Sequence, residues 1–377
     1  MPGIELIIDI SVASWWPVGA VLLVLGVLGV AVAIRARRRF VRMLAAVGSA
    51  VLVLASAGVG VNAYFEYFST LGEAVGGQVP DEESLAHADA ADGSVPPAGA
   101  VVPATLPGTV SGFAARDALV YLPPVWFARP RPVLPVVLLL HGSPGSPDDW
   151  TEGGQAQATA DAFAAQHSGV APVLVMPDSN GSLTADTECV DSPTGQVETY
   201  LTVDVPAAVQ KTFGTQPPGQ RWAVVGLSEG GSCAIMLALR HPRLFSTFAD
   251  FSGLVGPRLS DTNADTADTV AQLFGGSQQQ FAAHDPATLL RAAPFPGMGG
   301  WFEVGTDDGE PLAAARELAP LAAAAGIDTC LVVIADGAHT FDVWSSALRS
   351  SLPWVAARLG LVPADPSMTA SCQPISS

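Results

Sequence analysis

The stretch WAVVGLSEGGSCAIMLAL, residues 222–239, sets one serine, Ser228, where an apolar, β-branched run must turn into a helix within a few residues. At such a reversal, glycines two positions to either side, here Gly226 and Gly230, let strand and helix pass closely and push the hydroxyl into the open. A serine hydroxyl attacks poorly until a base takes its proton, and an imidazole base needs a carboxylate to fix its tautomer and stabilise its charged form. Of six histidines, His339 is the candidate base. It follows the strand-like TCLVVIA in the turn DGAH and precedes the helix-like FDVWSSALRSSLPWVAARL, so it belongs at the C-terminal edge of a sheet. His87 lies in a polar linker and His141 begins a turn, while His167, His241 and His284 fall where solvated or capping roles are expected. For the acid, WFEVGTDDGE ends a strand at Gly305 and offers Asp307 and Asp308, either of which could reach the imidazole.

Attack on an acyl carbon creates an oxyanion, and two backbone N–H groups must receive it, each contributing roughly 2.7–4 kcal/mol. Glu229, just past the nucleophile, supplies one. The other is expected from the turn in VVLLLHGSPGSPDDW, where Pro144 has no N–H to give; Ser143 is the candidate and Gly142 the second choice. Trp150 and Trp344 fall beside that turn and the base, and are expected to wall the acyl or alcohol pocket. The chemistry expected of such a set is nucleophilic acyl transfer through an acyl-enzyme, for which no cofactor is needed. Asp261, Asn263 and Asp265 look like the start of a calcium loop. Thr266 and Gln272 occupy the positions where glycine and glutamate are wanted, so no metal is expected there.

Strands are predicted at Ala118–Leu122, Val136–His141, Val173–Met176, Trp222–Gly226, Phe245–Phe251, Trp301–Gly305 and Thr329–Ile334, and helices from near Thr159, Thr199, Glu229, Pro311 and Phe341. The alternation implies an α/β domain with a mostly parallel sheet flanked by helices, over residues 108–377. Ser260–Pro294 reads as a polar insertion bordering the cleft. Residues 66–107, rich in Gly, Pro, Ala and acid, read as a linker. Ahead of them, 15–34 and 43–65 are apolar runs long enough to cross a membrane, and the loop 35–42 between them carries Arg35, Arg37, Arg38, Arg39 and Arg42. The positive-inside bias puts that loop in the cytoplasm, and residues 1–14 and everything after Phe65 outside. Net charge divides similarly, with 5 basic and 2 acidic residues through Phe65 against 12 and 33 beyond it. An outer domain so acidic repels nucleic acid, which is excluded as a partner. The four cysteines, Cys189, Cys233, Cys330 and Cys372, then lie in an oxidising compartment. Three pairings are possible; Cys189 with Cys233 and Cys330 with Cys372 is preferred, because the first would tie a long loop to the helix behind the nucleophile.

Over about Ala100 to Leu361, LLLHGSPGSPDDW, GLSEGG, GTDDG and GAHTFDVW resemble the esterase D branch of the α/β-hydrolases, which includes S-formylglutathione hydrolases, feruloyl esterases and secreted mycolyltransferases. The resemblance implies an α/β-hydrolase fold with the order Ser228, Asp308, His339, the acid standing three residues after Gly305. It also implies a membrane-anchored outer esterase, as in actinobacterial members with N-terminal spans. Acyl transfer to a sugar or lipid hydroxyl is an alternative, and so is a silent hydrolase fold used as an envelope binding module. Two departures stand out: Glu229 replaces the methionine of many relatives, and Pro144 enters the oxyanion turn.

Overall fold

The computed structural model describes residues 15–68, 93–264 and 266–375, so the expected outer segment 1–14 and most of the linker lie outside them. The chain divides into a helical unit and an α/β unit.

The helical unit is a hairpin of α1 (Trp16–Arg35) and α2 (Arg39–Phe65), with mean hydropathies of 2.6 and 2.1. Pro17 opens α1 at a position where its missing N–H costs nothing. Gly19, Gly26 and Ala33 recur every seven residues on the buried face of α1, and Ser49 and Ala63 are buried on α2. Small residues let the two backbones approach: a methyl on Gly26 would stand 2.9 Å from Val53, and the Ser56 hydroxyl donates to Gly19 O at 2.7 Å. Large apolar side chains such as Val21, Leu25, Leu28, Val47 and Leu54 are exposed, as suits a hydrocarbon surrounding.

In the α/β unit, eight strands form one sheet: β1 (Ala100–Ala104), β2 (Ala118–Leu122), β3 (Val136–Leu140), β4 (Val173–Met176), β5 (Gly219–Leu227), β6 (Phe245–Phe251), β7 (Gly299–Gly305) and β8 (Asp328–Ile334). Their order is β1-β2-β4-β3-β5-β6-β7-β8. The pairings β1/β2 and β2/β4 are antiparallel and the other pairings parallel. Strands such as VVLLL and VLVM are buried on both faces, which explains their unbroken apolar character. The linker boundary needs correction at β1. Ala, Pro and Gly around it obscure a strand that pairs residue for residue with β2, and Pro103 is tolerated there because an edge strand does not need every N–H. Flanking helices include α3 (Ala156–Gln166), α4 (Val205–Phe213), α5 (Glu229–Arg240), α6 (Ala267–Leu273), α7 (Gln278–Ala282), α8 (Pro286–Ala292), α9 (Gly309–Ala324) and α10 (Phe341–Arg358). The three helices α6 to α8 occupy the expected insertion.

Both preferred disulfides are present, Cys189–Cys233 and Cys330–Cys372. The parallel strands β3, β5, β7 and β8 end on one edge of the sheet. The turns that follow them carry Ser143, Ser228, Asp308 and His339.

Candidate active site

Ser228 sits between the last residue of β5 and the first of α5 with φ 55° and ψ −123°, a left-handed region that a non-glycine residue enters only under constraint. The constraint is visible in its neighbours. A Cβ on Gly226 would lie 1.8 Å from Gly230 O, and one on Gly230 would lie 2.2 Å from Leu140 O, so strand and helix cross too closely for any other residue. The Ser228 N–H donates to Phe251 O at 2.8 Å, and its carbonyl accepts from Gly231 at 2.9 Å. The turn is thereby held rigid and the hydroxyl projects.

The Ser228 hydroxyl donates to His339 Nε2 at 2.9 Å, and His339 Nδ1–H faces Asp308 Oδ2 at 3.0 Å and Oδ1 at 3.1 Å. Asp308 is buried and the His339 side chain is 31% exposed, so the carboxylate is shielded while the imidazole still meets the cleft. Of the two acids, Asp308 is the one that faces His339, and the loops show why. Asp307 gives its N–H to Gly337 O at 2.8 Å and stays exposed, while Thr306 N–H binds Ile334 O and Thr306 Oγ1 accepts from Asp336 N. Asp307 thus fastens the two loops together through its backbone, and Asp308 points inward.

On the opposite side of Ser228, a Cβ on Gly142 would lie 3.1 Å from Ser228 Cβ, so the turn after β3 closes over the nucleophile. Gly142 O accepts from His141 Nδ1–H at 2.8 Å and from Asn180 Nδ2 at 3.5 Å. In a trans peptide the N–H points opposite to the C=O, so anchoring Gly142 O aims the Ser143 N–H the other way. Glu229 begins α5, where an N–H has no carbonyl one turn back. The Ser143 hydroxyl is occupied with Ala185 O at 2.9 Å, leaving its backbone for the site.

Several partners here escaped the sequence reading. His141 Nε2 lies 3.3 Å from Asp178 Oδ1 and 3.2 Å from Ser179 N. Asp178 also holds Arg116, whose Nη2 reaches Asp178 Oδ1 at 2.7 Å and Gly145 O at 2.9 Å. Against its burial penalty, hydrogen bonds from His141 and Arg116 keep the Asp178 carboxyl well below the usual carboxylate range. The available signal was a histidine directly before the turn glycine and the polar run DSN at the end of β4. Farther back, Glu198 gathers Arg240 Nε at 2.7 Å, His241 Nε2 at 2.6 Å and His284 Nε2 at 3.0 Å. His284 is buried and ties the insertion to the core, and its Nδ1–H also donates to Gln280 O at 2.7 Å, the capping role that was one of the two expected. His167 caps α3 as expected, bonding Phe163 O at 2.7 Å.

The two tryptophans are both buried. Trp150 has no exposed surface and packs near Phe251, in the core beneath the turn, where its bulk and the close approach of Gly154 place it. Trp344 is also buried, and meets His339 edge-on with ring centroids 4.8 Å apart, so it steadies the imidazole. Of the residues that resembled a calcium loop, Asn263 spends its amide clamping Val255 N and Glu310 O, and Asp265 lies outside the described residues. Among the described residues, Cys189, Glu229 and Cys233 bring potential metal-ligating atoms within 4.8 Å of one another, but both sulfurs are spent in a disulfide.

The Esterase family model matches residues 114–355 of this chain. A Corynebacterium glutamicum protein of uncharacterized function is 36% identical over 327 residues, which are 82% of this chain and 75% of that one. Among solved structures, a ferulic acid esterase superposes with a TM-score of 0.60 at 23% identity, covering 69% of this chain and 99% of its own. An S-formylglutathione hydrolase from Agrobacterium tumefaciens gives 0.55 at 22% identity, covering 70% and 95%. Both share the α/β-hydrolase fold with this chain, and the C. glutamicum match extends past the catalytic domain's length.

Proposed function

The chain belongs to the Esterase family of serine hydrolases, and on that footing we propose that Ser228 cleaves carboxylic esters with His339 as its base and Asp308 as the carboxylate that orients His339. Ser228 Oγ attacks the acyl carbon while its proton passes to His339 Nε2. The oxyanion so formed is held by the N–H groups of Ser143 and Glu229. His339 then protonates the departing alcohol oxygen, and an acyl-Ser228 ester remains. Water enters, gives its proton to His339 and attacks the same carbon, after which the carboxylate leaves and Ser228 regains its proton. The single observation supporting this reading is the continuous chain from Ser228 Oγ through His339 to Asp308, with every link between 2.9 and 3.1 Å.

We further infer a membrane-anchored enzyme whose catalytic domain faces outward. Two apolar helices, an arginine-rich loop between them and two disulfides in the catalytic domain support it. Labelling full-length protein with a fluorophosphonate tests the chemistry: an adduct at Ser228, absent in Ser228→Ala, is expected. No adduct on folded protein would leave a silent binding module instead. Product analysis with glycerol or trehalose present separates water from a sugar hydroxyl as the acceptor, free acid being expected.

A further inference from the structure

Directly behind the nucleophile the fold buries more acid than it has base to match. The Glu229 side chain turns away from the cleft, and its Oε1 accepts the N–H groups of Thr187 at 3.2 Å and Glu188 at 3.0 Å. Its Oε2 accepts Asn180 Nδ2 at 2.7 Å. The Asp186 carboxyl faces Glu188 and Glu229, and Asp186 Oδ1 and Glu188 Oε2 are buried without a donor. The other charged groups facing this cluster are Asp261 and Arg258, both from the segment after β6, and Arg258 also bonds the carbonyls of Pro257 and Asn263. On the α5 side the cluster rests against the Cys189–Cys233 disulfide. Burial and mutual repulsion in such a group favour keeping a proton on it.

Resting on the reading above, we propose that Glu229 is a positioning residue of the oxyanion hole that works in its protonated form, coupled to the Ser143 peptide through Asn180. The two N–H bonds of the Asn180 amide are shared between Glu229 Oε2 and Gly142 O, the latter at a long 3.5 Å. Its Oδ1 is pinned by Thr187 N and Oγ1, so the amide cannot turn over. With Glu229 neutral, its O–H donates to Asp186 and Asn180 helps hold Gly142 O back, keeping Ser143 N–H aimed at the oxyanion. Ionisation removes the proton shared with Asp186 and turns the Asn180 contact into a charge-assisted bond, which draws the amide from Gly142. It also sets a full negative charge one side chain behind the Glu229 N–H, beside the place where the oxyanion must form. Both donors weaken together.

Burial first, and then the Asp186 carboxylate, push Glu229 up to about 8 in spite of its three donors, while burial raises Asp186 to about 6. Glu229 therefore keeps its proton at neutral pH, and ester cleavage declines as pH rises through that value.

The test is the pH profile of kcat/KM for p-nitrophenyl acetate, a neutral ester, with the full chain in detergent micelles between about pH 5 and about pH 10, each profile scaled to its own maximum. Wild type should fall roughly tenfold across an inflection near 8. Glu229→Gln should lose that alkaline limb. Asp186→Asn removes the neighbouring charge and should move the inflection about one unit lower. An unmoved inflection in both variants, each folded by near-ultraviolet circular dichroism, overturns the proposal; if Glu229→Gln does not fold, an unmoved inflection in Asp186→Asn alone does so. Failure of the serine hydrolase reading would look different: Ser228→Ala would hydrolyse as fast as wild type, whatever the position of the inflection.

Discussion

The two walls that enclose Ser228 are built on opposite principles. On the base side, Asp308 and His339 sit in neighbouring loops after β7 and β8, and each polar atom of the pair has a partner of matching kind. On the oxyanion side, the turn after β3 is held from behind by His141 and Asn180, and beyond them by carboxyls that burial drives toward the neutral form. The first wall is organised around a charge that must stay. The second is organised around a proton that must not leave. Rigidity at the nucleophile is common to both, because Gly226 and Gly230 leave β5 and α5 no room to shift.

The base side is the easier to break. Ser228→Ala should lower kcat for a simple ester by at least about 10⁴-fold, measured by initial rates at saturating substrate; a residual rate near wild type would mean another group attacks. Asp308→Asn should cost roughly 10⁴-fold, because the amide favours the wrong imidazole tautomer. Asp307→Asn should stay within about twofold, since Asp307 joins the loops by its backbone. Equal losses from the two substitutions would show that the loop exchanges which acid it presents.

How much of this contrast the sequence displays follows from the same physics. Ser228 and His339 are legible because each stands at a sharp change from strand to helix, a local signal. The strands are legible for the same reason, their apolar runs being buried on both faces. The turn residues alone left Asp307 and Asp308 open, and only the family resemblance, by spacing after Gly305, matched Asp308; the physical choice depends on which N–H Gly337 O accepts, a contact between residues thirty positions apart. His141 and Asn180 left only a faint trace, a histidine before a turn glycine and the run DSN, and the grouping of Glu198 with His241 and His284 left none: each is an ordinary polar residue whose burial is decided by partners far along the chain. Strand β1 hid behind Ala and Pro, which suit an edge but resemble a linker. Trp150 misled for a related reason, since sequence proximity to the turn does not tell which side of it a side chain occupies.

The oxyanion side should respond more gently and in kcat more than KM. Asn180→Ala deletes the amide between Gly142 O and Glu229 Oε2, so both donors are misaimed rather than lost. A drop of roughly 10- to 100-fold in kcat is expected, less than the 10²–10³ that follows removal of a whole donor. Steady-state kinetics on an ester series checks it; a rise confined to KM would place Asn180 in ground-state binding.

The remaining effect concerns stability rather than catalysis. Glu198 pays a desolvation penalty, but hydrogen bonds from His241, His284 and Arg240 hold its carboxyl well below the ordinary range. Between its folded and unfolded pKa values the unfolded chain binds more protons, so stability rises with pH there. The contribution is complete above the unfolded value of about 4.5 and is lost as pH falls toward the folded one. Asp178 acts in the same direction. Wild-type protein should therefore unfold at progressively lower denaturant concentration as pH falls from about 5 to about 3. Glu198→Gln should be less stable than wild type at neutral pH by roughly 3 kcal/mol, because it leaves Arg240 and two imidazoles without their carboxylate. Its acid slope should be shallower, with Asp178 supplying what remains. A slope identical to wild type would mean that the Glu198 cluster forms equally well with the acid protonated, and that the tie between insertion and core does not depend on that charge.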